Sequence, residues 1–518
     1  MNAFGWILLV FRGVIFTRIV KSFTLRRPSG AGAGVMSRGL IPLLALGCMA
    51  ALTGCGGSSD VFSPPPPPNA QFSNASLKGT YAFAFSGTNS FGFFSVAGSL
   101  QADGNGNITA GVEDVNSVSG VFPNLAITGT YSITGDGRGT ATLVSSLNPI
   151  NIAFVLLSSQ RALVVRFDTF ATASGTMDLQ NASAFSNAAL QGGFAFNVAG
   201  ADVVGSAFGS AGNFVIDNAG NITTGIQDFN DDGTLHTNLP LTGTCVVGPA
   251  NGRGTAVLTT SLGTINFAFY IVDANHLKFV EIDSAALLAG DAFRQQGAFS
   301  NASLSGAFPF TLGGTSSKGA FVAGGIFTAN GNGAITGGVE DVNNDGIVAQ
   351  NLALSGSYSV AASGRGTLTL TNSTGTSNFV IYPSSGGVLV METDTVIVSS
   401  GSALAQTGAP FSNSSLQGNY GLNFSGAILG AEIDAVAQFK ADGNGHLTGT
   451  LDFNNGGVLF LGLALNGTYS VNSNGRGTAT LQSSAGTLNL DFYVVNASRV
   501  LFVEIDPTLP SVGEFDAQ

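Results

Sequence analysis

One phrase written four times constrains this chain more than anything else. FSNASLKG at 72–79 recurs as FSNAALQG at 185–192, FSNASLSG at 299–306 and FSNSSLQG at 411–418, at intervals of 113, 114 and 112 residues. Three further landmarks keep step. One is a turn: DGNGNIT at 103–109, DNAGNIT at 217–223, NGNGAIT at 330–336 and DGNGHLT at 442–448. Another is GRGT, beginning at Gly137, Gly252, Gly364 and Gly475. The third is a Gly followed five residues later by Gln: Gly175 and Gln180, Gly290 and Gln295, Gly401 and Gln406, Gly513 and Gln518. A period of this length is too long for a solenoid and matches an independent domain, so four beads on a string are expected. Their bounds are 72–184, 185–298, 299–410 and 411–518, the last unit being complete on this reading.

Within a unit the pattern is that of strands. Tyr81, Phe83 and Phe85 alternate with small residues, as do Phe194, Phe196 and Val198, Phe308, Phe310 and Leu312, and Tyr420, Leu422 and Phe424. Period-two alternation with aromatics on one side gives a strand with one face in a core. The chain has 73 Gly and only 9% charged residues, which suits tight turns between short strands and suits long helices poorly. Runs between turn signals in the first unit give eight strands, near 78–87, 92–102, 107–116, 125–134, 139–146, 150–158, 162–169 and 172–180. The fold class is therefore all-β: four tandem domains, each an eight-stranded antiparallel meander, with a closed barrel favoured over a two-sheet sandwich by the short consecutive hairpins. The opening Gly79-Thr80-Tyr81 and Gly418-Asn419-Tyr420 resemble the G-x-W start of lipocalin and avidin barrels, with Tyr where those families carry Trp.

The N-terminus gives an address. Residues 36–54 place Arg38 before an apolar stretch from Leu40 to Leu52, the layout of a secretory signal peptide. Leu52-Thr53-Gly54-Cys55 resembles the lipobox of bacterial lipoproteins, which implies lipidation (palmitate among the acyl groups) at Cys55. Gly56 follows the Cys, and the family rule then points to the outer membrane or cell surface. Residues 1–35 form an upstream extension whose apolar run from Trp6 to Phe16 is broken by Arg12, and translation is expected to start at Met36. Residues 55–71 form a Gly/Ser-rich tether in which Pro64 to Pro68 make a polyproline rod of roughly 15 Å.

Cutting before Cys55 removes six of the 18 basic residues and no acidic one, leaving 12 basic against 30 acidic and a formal charge of −18. Phosphate backbones would be repelled, so nucleic acid is excluded as a partner. Cys48 leaves with the signal and Cys55 is lipidated, so Cys245 stands alone and no internal disulfide forms. It replaces Tyr131, Tyr358 and Tyr469 at its place in the repeat, which argues for a buried apolar role.

The chemical motifs are few. Asp341, Asn343, Asp345 and Gly346 resemble the first half of an EF-hand or dockerin calcium loop, and Asp228, Asn230, Asp232 and Gly233 match as well. Leu352 and Leu239 stand where the bidentate carboxylate belongs, so a polar hairpin loop competes with a weak calcium site and no cofactor is otherwise implied. Arg138, Arg253, Arg365 and Arg476 read either as anion clamps or as exposed hairpin residues, Arg138 then pairing with Asp103. Glu281 and Asp283, Glu392 and Asp394, and Glu504 and Asp506 share a strand face that reads as outward, with Val280 and Ile282 inward; the first unit has Arg166 and Asp168 there. His236, His276 and His446 occupy unrelated positions, and no nucleophile or zinc motif is present, so no enzyme is expected. Two functions remain: a surface-anchored interaction, adhesion or structural array contacting an unknown surface or polymer partner, or a carrier of small apolar ligands inside the barrels.

Overall fold

A computed structural model describes residues 71–428 and 430–518. The segments read above as a signal peptide, lipidated Cys55 and tether, up to residue 70, lie outside the described residues. In the first unit the strands are β1 (Lys78–Asn89), β2 (Gly92–Asp103), β3 (Asn107–Ser117), β4 (Gly120–Ala126), β5 (Thr128–Ile133), β6 (Arg138–Val144), β7 (Ile150–Leu156), β8 (Arg161–Phe167) and β9 (Ala171–Leu179). Chain neighbours pair antiparallel, except that β4 and β5 both pair with β3, and β1 pairs with β9 to close the barrel. β4 and β5 are one strand broken at Ile127; the fourth unit runs through the same place unbroken as Val458–Val471. Each unit is thus a closed eight-stranded barrel, the meander expected from its turns.

The alternation puts Tyr81, Phe83 and Phe85 into the lumen, with Phe94, Phe154 and Met177 from other strands. Lumens of eight-stranded barrels are just wide enough for such side chains to fill. The GRGT glycines follow from that packing. The ring of Phe154 lies where a Cβ on Gly139 would be, as do those of Phe269 over Gly254 and Phe492 over Gly477. The preceding Gly137 takes φ +90, which a side chain would strain.

The recurring FSNASL phrase is a plug. Its Phe72 and Leu77 join the lumen cluster, and Asn74–Ser76 form a short 3-10 turn. Tyr131 donates its hydroxyl proton to the carbonyls of Asn74 and Leu77, at 3.1 and 2.7 Å. Tyr358 and Tyr469 repeat the bonds; Cys245, buried in the second barrel, fills the place without them. The plug, the DGNGN turn and the GRGT turn mark the closed end of each barrel. The turns after β1, β3, β6 and β8 mark the open end.

The barrels are not beads on a string. Ala82, Ala97 and Val112 of the first pack with Ala268, Tyr270, Val272 and Val280 of the second in a separate buried cluster. Equivalent clusters join second to third and third to fourth. Val436 of the fourth then packs with Val155, Leu163 and Val165 of the first, so the four barrels close into a ring.

Candidate functional site

Two features of the ring concentrate polar chemistry: the seams between barrels and the axis they surround. At the first seam Asp114 accepts from Arg253 Nε and Nη2 at 2.8 and 2.7 Å and from the Tyr270 hydroxyl. Its other donor is the backbone N–H of Asn124, whose φ of +58 turns that group toward it. Two residues on, Asn116 donates to the carbonyls of Asp283 and Ala286. Gln180 reaches the other way, donating to Asn251 and Ile271 carbonyls under the GRGT turn of the second barrel.

The other seams repeat this. Asp228 is held by Arg365 and Tyr382, and Asp341 by Arg476 and Tyr493. Gln295, Gln406 and Gln518 each enter the next barrel, Gln518 reaching Asp136 and Leu156 of the first. At that closing seam Val155 replaces the tyrosine, and Arg138 divides between Asp452 and Asp136.

These contacts relocate the sequence candidates. The four arginines do clamp anions, but the anions are carboxylates of the preceding barrel, joined by Asp136 for Arg138 and Asp491 for Arg476 from their own barrels. Arg138 does not pair with Asp103, which accepts from Asn105 and Asn107 within its own turn. In the calcium-like run Asp228 faces Arg365, Asn230 donates to Asp394 and Ile397 carbonyls, and Asp232 with Gly233 forms a tight turn at φ +46 and +87. Asp341, Asn343 and Asp345 do the same in the third barrel. The alternating oxygens that suggested a metal therefore meet guanidinium, hydroxyl and amide donors. Among the described residues no group of three or more His, Cys, Asp or Glu is placed to hold a metal ion.

The strand-eight carboxylates are also reversed from expectation. Val280 and Val503 pack in seams, so Glu281 and Glu504 point into the lumens and are fully buried. Burial, with Asp283 and Asp506 beside them, pushes these carboxyls up to about 9 and about 10, and burial pushes Glu392 up to about 8. Cys245 is buried too, its thiol raised to about 11.

On the ring axis a cavity of about 590 Å³ is lined by all four barrels, among them Ser86, Thr176, Phe208, Phe321, Ser425 and Glu432. Charged groups adjoin it across three barrels. Lys278 donates to Thr176 and to Asp178 at 2.7 and 2.9 Å; Arg161 bridges Asp178 and Glu514 at 3.3 and 3.1 Å; Arg499 also pairs with Glu514. The third barrel has Gly387, Leu389, Ser402 and Leu404 at the matching positions, so the network stops there. Separate cavities of about 540 and 520 Å³ open at the mouths of the first and fourth barrels.

Sequence reasoning missed the Gln contacts, the seam tyrosines and Lys278. A signal existed for the tyrosines: Phe269 faces the lumen, so Tyr270, next to it, had to lie on the outer face beside Arg253.

No known protein family matches the chain, and no curated protein matches it in sequence. Solved structures of transferrin-binding protein B, a vaccine antigen of Haemophilus parasuis Hp5, are similar at 10% identity. A double mutant covers 69% of this chain and 83% of its own with a TM-score of 0.19. A single mutant covers 85% and 75% with a TM-score of 0.18. Similarity at this level does not bear on function.

Proposed function

We propose that the protein is a non-enzymatic lipoprotein, anchored at the outer membrane or cell surface through Cys55, whose ring is a rigid interaction or adhesion platform. The observation that carries this reading is the distribution of exposed apolar side chains. Phe91 and Phe170 of the first barrel, Val203 and Val204 of the second, Ile347 and Val396 of the third, and Val458 of the fourth all sit in open-end turns or at their edges. Phe91 keeps 76% of its surface in water and Val204 81%. Large apolar side chains exposed at the open-end tips of all four barrels offer a contact surface. Gln71 pairs with Gly135 at the closed end, so the described chain enters the ring opposite this face.

Charge narrows the partner. Asp232 and Asp345 are exposed among these tips, and Lys318 is the only basic residue in the described open-end turns. The complementary partner is a protein or polymer with an apolar centre and a basic surround. The test is adhesion of a deletion strain complemented with variants. Phe91→Ser, Phe170→Ser, Val204→Ser and Ile347→Ser combined, or Cys55→Ser alone, should fail to restore it while the purified ring melts normally. Full adhesion by the face variant would overturn the reading.

A second reading, carriage of small apolar ligands, draws on the fourth barrel mouth, lined by Phe424, Ile433, Leu451, Phe453, Phe460 and Leu488. It predicts one or two bound oleates per chain by native mass spectrometry rather than four, since open mouths are found in the first and fourth barrels.

A further inference from the structure

Three seams of the ring carry a chain crossover; the fourth, between the last barrel and the first, is held by noncovalent contacts alone. That seam also differs chemically from the other three. The strand Ala431–Asp442 presents Glu432 and Asp434 to the first barrel. By register their counterparts are Phe93 and Ser95, Ala207 and Gly209, and Ala320 and Val322. The residue facing them changes in concert: Thr172 here, against Leu287, Val398 and Pro510 elsewhere. Three equivalent seams close without a carboxyl at these positions, so packing does not call for one.

The pair differs in depth, Glu432 being half-buried and Asp434 enclosed. Asp434 is fully buried, and Thr172 donates to its Oδ2 at 2.6 Å. Glu432 lies beside Thr88 at the edge of the axial cavity. Asp434 Oδ1 and Glu432 Oε2 are buried without a hydrogen-bond partner. The groups facing the pair are the hydroxyls of Thr88 and Thr172 from the first barrel and Ser425 from the fourth. Of the nearby charged residues, Arg166 turns into the first lumen, where it pairs with Asp168 and lies over Phe94, and Arg138 and Asp452 pair with each other. A buried carboxyl and a half-buried neighbour with one enclosed oxygen, given hydroxyl partners and no cation, favour keeping their protons.

We propose that the seam between the fourth and first barrels is a pH-operated latch, closed while Glu432 and Asp434 carry protons and released as they ionise. Opening there would split the axial cavity along one side and leave the three chain-linked seams intact. Burial pushes Asp434 up to about 7, and burial with Asp434 alongside pushes Glu432 well above the usual carboxylate range. The closed seam therefore holds the protons. Its advantage is complete below the ordinary carboxyl range near pH 4 and is lost as pH rises through about 7 and beyond.

The test places spin labels on the full mature chain in a Cys245→Ala background. One pair, Phe170→Cys with Val458→Cys, straddles the latch seam; the other, Thr234→Cys with Val396→Cys, straddles the second-to-third seam. Distances are read by pulsed dipolar spectroscopy at pH 5, 7 and 9. The expected result is one short distance at the latch at pH 5, a longer population growing to pH 9, and an unchanged control pair. The isosteric Glu432→Gln, Asp434→Asn variant should stay closed throughout. A latch distance that does not change with pH would overturn the proposal, and so would a double variant that still opens or a control seam that opens equally.

Discussion

Arg138 and Asp452 stand 314 positions apart in the chain, and Nη1 of the first lies 3.1 Å from Oδ2 of the second. The contact repeats, across the ends of the fourth and first units, what Arg253 makes with Asp114 between consecutive ones. Repetition of one directional interface, each barrel offering Asp, Asn and Gln to the next, makes an array close on itself when the rotation per step divides the circle. Here four steps suffice.

The seam carboxylates differ in their support, and their removal should differ accordingly. Asp228→Ala leaves Arg365 and Tyr382 without their shared acceptor, with a cost of about 3–5 kcal/mol typical of a broken buried pair. Asp452→Ala should cost less, about 1–3 kcal/mol, because Arg138 retains Asp136 and no tyrosine hydroxyl is stranded. Urea denaturation of the two variants compares them directly; an equal loss would count against the role given to the tyrosine.

Cooperativity follows from the shared clusters. Residues such as Ala97, Tyr270, Ala211 and Tyr382 are fully buried only because a neighbouring barrel covers them. An isolated first unit, 72–184, should expose both seam faces and melt well below the ring. Calorimetry of the intact protein should show one transition, and limited proteolysis should not release quarter-length fragments. Four separable transitions would restore the picture of independent domains.

The fold was legible because its signals are local. Alternation in Tyr81-Ala82-Phe83-Ala84-Phe85 and the Gly/Asn turns determine strand length and hairpin order, and a hairpin meander closes as a barrel. The ring was not legible, because Asp114, Arg253 and Gln180 each look like ordinary turn or strand-end residues within their own units. Their partners lie in another repeat, and single-sequence periodicity carries no information about which outer face meets which. The error over Glu281 has a related cause. Both faces of β8-type strands are apolar and buried, one in a lumen and one in a seam, so Val280 and Phe279 give no clue to which is inside.

Gln180, Gln295, Gln406 and Gln518 tie each barrel to the next by donating to its backbone carbonyls. Replacing one by Leu should cost about 1–3 kcal/mol, the worth of the hydrogen bonds lost. Gln518→Leu has a second consequence, since it loosens the one seam without a chain crossover. Small-angle scattering of that variant should show a larger radius at neutral pH than Gln295→Leu. Equal radii would mean that the closing seam does not depend on Gln518.

The lumen glutamates set the alkaline limit of the barrels. Glu392, Glu281 and Glu504 are raised to about 8, 9 and 10, chiefly because burial penalises the charged form. They are therefore protonated at pH 7 in the folded chain and ionised when it unfolds. Groups raised in this way stabilise fully below the ordinary carboxyl range near pH 4.5, and the contribution is lost as pH rises through their folded values. The melting temperature should fall between pH 7 and 10 more steeply than tyrosine and thiol ionisation alone would cause. Glu281→Gln, Glu392→Gln and Glu504→Gln combined keep the acceptor oxygen and remove the proton equilibrium, so the slope should flatten. The first barrel is the internal contrast. It carries Arg166, paired with Asp168 at 2.9 Å, where the others carry glutamate, and its own buried carboxyl, Glu113, lies on another strand, so its local unfolding by hydrogen exchange should be unchanged by the triple substitution. A slope unaltered by the triple substitution would mean that the buried carboxyls are not what limits the fold in alkali.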